Sequence, residues 1–113
     1  MPDVDLAFNQ ATMTAGISSQ AMAYVSSRYD LFTLQAMFLL LQNAKQNDLP
    51  NRATYIEQLQ TWYLSVLVYV AEIQSDIAAA SSDSGLSMVT WDFSAFTSSD
   101  PAVTLVGALL INS

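Results

Sequence analysis

The chain has 113 residues, which is one domain of ordinary size. Ten acidic and three basic residues give a net charge of −7, while hydrophobic residues make up 52% of the chain. This composition excludes a disordered tail, and the absence of Cys and His excludes disulfides, thiol or imidazole catalysis and the common zinc sites. Three basic residues cannot form the basic patch that a phosphate backbone requires, so we expect no nucleic-acid partner.

The amino-terminal residues are acidic where a signal peptide would be basic, and no apolar run follows them. The longest candidate for a membrane span, residues 62–80, carries Glu72 and Asp76. We therefore expect neither a signal peptide nor an integral membrane span.

The first predicted elements are a shorter segment over residues 4–15 and a long helix over residues 17–46, separated at Gly16. Apolar residues recur along the long helix in two stripes with steps of three and four. The stripes consist of Met22, Val25, Tyr29, Phe32, Ala36 and Leu39, and of Leu31, Leu34, Phe38 and Leu41. Two stripes on different sides indicate that this helix is covered from more than one direction.

Pro50 predicts the end of this helix, and a second helix is expected over residues 53–80. Thr54 and Glu57 have the spacing of a capping box at its start. Its two apolar stripes are Tyr55, Leu59, Trp62, Val66, Tyr69 and Ile73, and Ile56, Tyr63, Leu67, Val70 and Ile77. The short connection between the two helices predicts a long antiparallel hairpin over residues 1–80.

Residues 81–113 are predicted to form a C-terminal segment that covers the hairpin within the same domain. Residues 86–93 are rich in strand formers and predict an extended stretch. Asp100 followed by proline resembles the start of a short helix over residues 102–111, which we prefer to the alternative of a strand. The predicted fold class is therefore mainly α. Neighbouring subunits are expected to complete the hairpin, because a small chain buries only a limited part of its surface.

Few residues carry a signal for chemistry. Glu72 and Asp76 lie on one side of the second helix and could act as an acid–base pair or as cation ligands. No third ligand accompanies them, so we interpret them as a solvated patch. A serine nucleophile would lack a histidine base, and three glycines cannot build a phosphate-binding loop. We expect no enzymatic activity, no cofactor and no metal.

The surplus of apolar helix surface predicts a protein interface instead, with the candidate residues Leu31, Leu34, Phe38, Leu41, Tyr55, Trp62, Tyr63, Leu67 and Val70. In composition the chain resembles subunits of virions and secreted filaments, which favours a virion or an exported assembly. Our first hypothesis is a structural, self-associating subunit that forms homo-oligomers or binds a companion structural protein. The alternative is a small adaptor or export chaperone that binds a partner's amphipathic helix. A third hypothesis, peripheral association with lipid, is disfavoured by the lack of basic residues.

Overall fold

The computed structural model describes residues 2–113 and, among the side chains, those from Asp5 onwards. This part of the chain is mainly helical, as predicted, and contains no strand. Its helices are α1 (Pro2–Arg28), α2 (Leu31–Gln46), α3 (Pro50–Ala79), α4 (Asp83–Ser87), α5 (Ala95–Ser99) and α6 (Leu105–Leu110).

The break in the first helical arm lies at residues 29–30, not at Gly16. Helix α1 continues through Gly16, where an added Cβ atom would meet no other atom within 4 Å. Asp30 has an extended backbone, with φ −73° and ψ 164°, and its carboxylate accepts a hydrogen bond of 2.6 Å from the Thr33 amide. Asp30 therefore caps a new helix where the sequence pattern predicted a continuous one.

Helix α3 begins at Pro50, three residues before the predicted start. Proline suits the first helical position because the amide of that residue has no partner within the helix. The predicted capping box is wrong, since Thr54 and Glu57 lie inside the helix and no side chain caps its first turn. The Glu57 carboxylate instead lies 3.5 Å from the ammonium group of Lys45 on α2.

Helices α1 and α2 both pack along α3, and the contacts that follow show that they run antiparallel to it. The Lys45–Glu57 ion pair joins α2 to α3 beside the connection at residues 47–49. At the other end, the Gln10 side-chain amide donates to the Ile77 carbonyl at 2.9 Å, and that of Gln74 donates to the Thr14 carbonyl at 3.3 Å. The helical fold thus fits the predicted hairpin, although one of its arms is broken.

The C-terminal segment, residues 81–113, consists of short helices joined by irregular stretches. The predicted start of its last helix at Asp100 is wrong. Thr104 caps α6 by accepting a hydrogen bond of 2.9 Å from the Gly107 amide. The segment is anchored by Arg52 on α3, whose guanidinium donates to the Ile111 carbonyl at 2.7 Å.

Candidate interaction surface

The C-terminal segment covers one side of the layer formed by α1 and α3. The indole of Trp62 donates to the Phe96 carbonyl at 2.8 Å, and the Tyr69 ring lies 5.4 Å from the Phe96 ring. On α1, Tyr24 stacks on Phe93 with 5.7 Å between ring centroids. An aromatic cluster from three parts of the chain therefore closes this side.

The opposite side of α3 has no such cover. At about 100° per residue, Leu67 lies about 140–160° around the helix from Trp62 and Tyr69. Two adjoining cavities of about 280 and 430 Å³ lie on this side, and they share Tyr63 and Leu67 as lining residues. We call them together the open groove; its main apolar side chains are Met22, Leu31, Phe38, Tyr63, Leu64 and Leu67.

The side chains of the open groove are unusually exposed for their size. Met22 is 70% exposed, Leu31 68% and Leu67 50%. Contiguous apolar surface of this kind is typical of sites for protein or membrane partners, because each such side chain gains about 1.5–3 kcal/mol on full burial. The groove is thus a part of the described surface that would be stabilised by a partner.

The open groove is also uncharged. Its polar lining residues are hydroxyl or amide side chains, Ser18, Ser26, Gln60 and Thr61, and among the side chains from Asp5 onwards no acid or base lines either cavity. Burial of this surface would therefore cost no desolvation of an ion. A partner that fits it must itself present an apolar, uncharged surface.

The structure brings six of the nine predicted interface residues to the open groove: Leu31, Leu34, Phe38, Tyr63, Leu67 and Val70. Leu34 is buried at its floor. The other three lie elsewhere. Leu41 and Trp62 are buried in the core, and Tyr55 faces the C-terminal segment, where its hydroxyl accepts from the Thr104 amide at 3.1 Å.

Two of the main apolar residues of the groove were missed as interface candidates from the sequence, Met22 on α1 and Leu64 on α3. Met22 belongs to the first apolar stripe, from which no interface candidate was chosen. Leu64 belongs to neither stripe. Its signal was the run of apolar residues around it, since only Ser65 is polar between Trp62 and Ala71.

A second feature, the clasp, joins the end of α1 to the C-terminal segment through Arg28, Tyr29 and Asp100. The Arg28 guanidinium donates to Asp100 Oδ2 at 2.7 Å. The Tyr29 hydroxyl donates to Asp100 Oδ1, which also accepts from the Ala102 amide at 2.9 Å. A cavity of about 480 Å³ adjoins these groups.

The clasp shifts the pKa values of its members. Burial of the Asp100 carboxyl opposes its ionisation, but hydrogen bonds from Tyr29, the Ala102 amide and Arg28 outweigh burial and hold its pKa below the ordinary value. Burial, followed by the hydrogen bond to Asp100, raises the pKa of Tyr29 to about 12. Each polar group of the clasp therefore has a partner in the chain, and the arrangement ties the C-terminal segment to α1.

The acidic pair predicted from the sequence is solvated. Glu72 and Asp76 are both exposed on α3. In the described part of the chain, no three acidic side chains come close enough together to hold a metal ion.

Comparison with known proteins found no matching protein family, no similar curated protein and no similar solved structure. Among residues 2–113, no helix has both the length and the hydropathy that crossing a membrane requires.

Proposed function

We propose that the protein is a structural, non-catalytic subunit that associates with copies of itself through the open groove. The observation that supports this most directly is the area of its surface. The chain exposes 7040 Å². A typical monomer of 12.3 kDa exposes about 6100 Å². The excess, about 900 Å², is close to the roughly 800 Å² that one partner contributes to a stable interface.

The elongated shape of the molecule accounts for this excess. Its radius of gyration is 18.2 Å. A typical folded chain of this length has a radius of about 13 Å. Long helices that lie side by side leave much of their surface uncovered, and here the C-terminal segment covers only one side. In the proposed assembly, neighbouring subunits complete the hairpin on the other side.

The small number of charges supports association by apolar contact. The whole chain carries 13 charged residues, and none of those whose side chains the structure describes lines the open groove. Such an interface depends on the hydrophobic effect and is only weakly screened by salt. A virion or an exported filament is the setting that the composition favours, because subunits of this build suit an assembly that must persist outside the cell.

The oligomeric state in solution tests the proposal. The full chain is studied by light scattering and analytical ultracentrifugation from low to tens of micromolar concentration, at low and high salt. We expect a mass above that of one chain, which increases with concentration and persists at high salt. A monomer throughout this range would refute self-association.

The groove between helices also favours a second candidate, the adaptor or export chaperone. An amphipathic helix of another protein could lie in the groove, as in other helix-in-groove complexes. Negative-stain images and purification from the native source separate the candidates. Rings, tubes or fibres of this chain alone support the structural subunit, whereas a stoichiometric foreign partner on a monomer supports the adaptor.

A further inference from the structure

Helix α2 exposes a second apolar surface that does not belong to the open groove. Phe32 and Leu39 are 73% and 67% exposed, and neither lines the groove. They lie two turns apart and about 160–180° around the helix from the buried side that faces α3. We call this pair the outer ridge.

We propose that the outer ridge of one copy docks into the open groove of the next, so that subunits associate head to tail through two different surfaces. This inference rests on the proposed self-association and specifies its geometry. A helix that inserts residues i and i+7 into an apolar groove is a common mode of protein recognition.

The outer ridge and the open groove are alike in that their described residues carry no charge. Between Phe32 and Asn43 the sequence of α2 contains no charged residue, and the walls of the groove are uncharged as well. The two surfaces could therefore bury one another without stranding an ion. Asp92 and Asp100 lie on the C-terminal segment, which packs on the Trp62 side of α3. That position reduces repulsion between two copies that each carry a charge of −7.

The positions of the ridge and the groove on the same helix allow the ridge to dock only into the groove of another copy. Leu31 and Phe38 line the groove, while Phe32 and Leu39 follow them directly on the same helix. The ridge therefore cannot enter the groove of its own chain. Because ridge and groove are different surfaces, each docked pair of copies still offers one free ridge and one free groove, and the chain of subunits grows until it closes into a ring or continues as a filament.

Two complementary variants test this geometry. Leu67→Glu places a charge in the groove and leaves the ridge intact, and Met22→Glu is a second groove variant at a more exposed position. The double variant Phe32→Ser/Leu39→Ser removes the ridge and leaves the groove lining intact. Phe8→Ser, at a side chain 70% exposed, and Thr90→Glu, on the exposed C-terminal segment, are the matched controls. Circular dichroism verifies that each variant folds.

We expect each groove variant and the ridge variant to associate at least tenfold more weakly than the wild type, and both controls to associate normally.

The decisive sample is an equimolar mixture of Leu67→Glu with Phe32→Ser/Leu39→Ser. One intact ridge and one intact groove remain, so the mixture should form a 1:1 dimer that does not grow. A mixture that stays monomeric would overturn the inference, because an intact ridge and an intact groove would then fail to bind one another. A ridge variant that assembles like the wild type would also overturn the inference, and in both cases self-association itself would stand. A monomeric wild type would refute both proposals.

Discussion

At the scale of single residues, two helical glycines have opposite surroundings. Gly16 lies inside α1 with open space around its missing side chain, whereas a Cβ atom on Gly107 would collide with the Tyr55 hydroxyl and lie 2.9 Å from Thr104 Oγ1. Replacement of a helical glycine by alanine favours folding only where the new methyl group fits.

Gly16→Ala should therefore raise the free energy of unfolding by about 0.5–1 kcal/mol, because alanine has the higher helix propensity. Gly107→Ala should lower it by about 1–3 kcal/mol through overpacking. Urea unfolding followed by circular dichroism measures both changes. Equal effects of the two substitutions would contradict the packing described around α6.

The Asp100 carboxylate makes the free energy of unfolding depend on pH in the acidic range. Its pKa is lowered in the folded chain from an ordinary value of 3.8, so the unfolded chain binds the proton more readily. The contribution of Asp100 to the free energy of unfolding is fully present at pH values above the ordinary pKa. It is lost as the pH falls through the lower pKa of the folded chain.

We therefore expect the difference in stability between the wild type and Asp100→Asn to be largest near neutral pH and to shrink below pH 3.8. Urea unfolding at a series of pH values measures this difference. Asp76→Asn removes an exposed carboxylate elsewhere and serves as the control. A difference that stays constant down to strongly acidic pH would show that the charge of Asp100 does not stabilise the clasp.

At the scale of elements, the cap at Asp30 determines where the first helical arm is divided. Hydrogen bonds from Thr33 lower the pKa of Asp30, as expected for a carboxylate at a helix start. Asp30→Ala should reduce the urea midpoint without changing the slope of the transition, whereas Asp76→Ala should leave the midpoint unchanged. If α1 and α2 instead joined into one continuous helix in the variant, its circular-dichroism signal for helix would rise. Any loss of stability would then not be caused by the missing cap.

The helices themselves were predictable because apolar residues recur with steps of three and four over long stretches. The break was not, because the first apolar stripe continues across residues 29–30 and masks the cap. A second contact at this break comes from a residue that is distant in sequence. Asp100, which binds Arg28, lies 72 residues along the chain. No local pattern indicates such a contact, and the same holds for the short helices of the C-terminal segment.

At the scale of the whole molecule, the sequence pattern predicted that apolar surface exceeds what the chain covers, but not which side stays open. Trp62 and Leu67 both belong to apolar stripes of one helix. The C-terminal segment packs on the Trp62 side of this helix, where the Trp62 indole donates a hydrogen bond to the Phe96 carbonyl. Periodicity cannot show this choice, because it describes one helix and not the segment that packs on it.

The heat capacity of association provides the last prediction, since it reports apolar burial independently of the docking geometry. An interface of about 1600 Å², about two-thirds apolar, should give a heat-capacity change on the order of −0.3 kcal/mol/K on association. Calorimetric dilution of the assembled protein at several temperatures measures this quantity, and Leu67→Glu should give little heat of dissociation. A change near zero would mean that the contacts between copies are polar. The open groove would then lie outside the interface, even if the protein forms an oligomer.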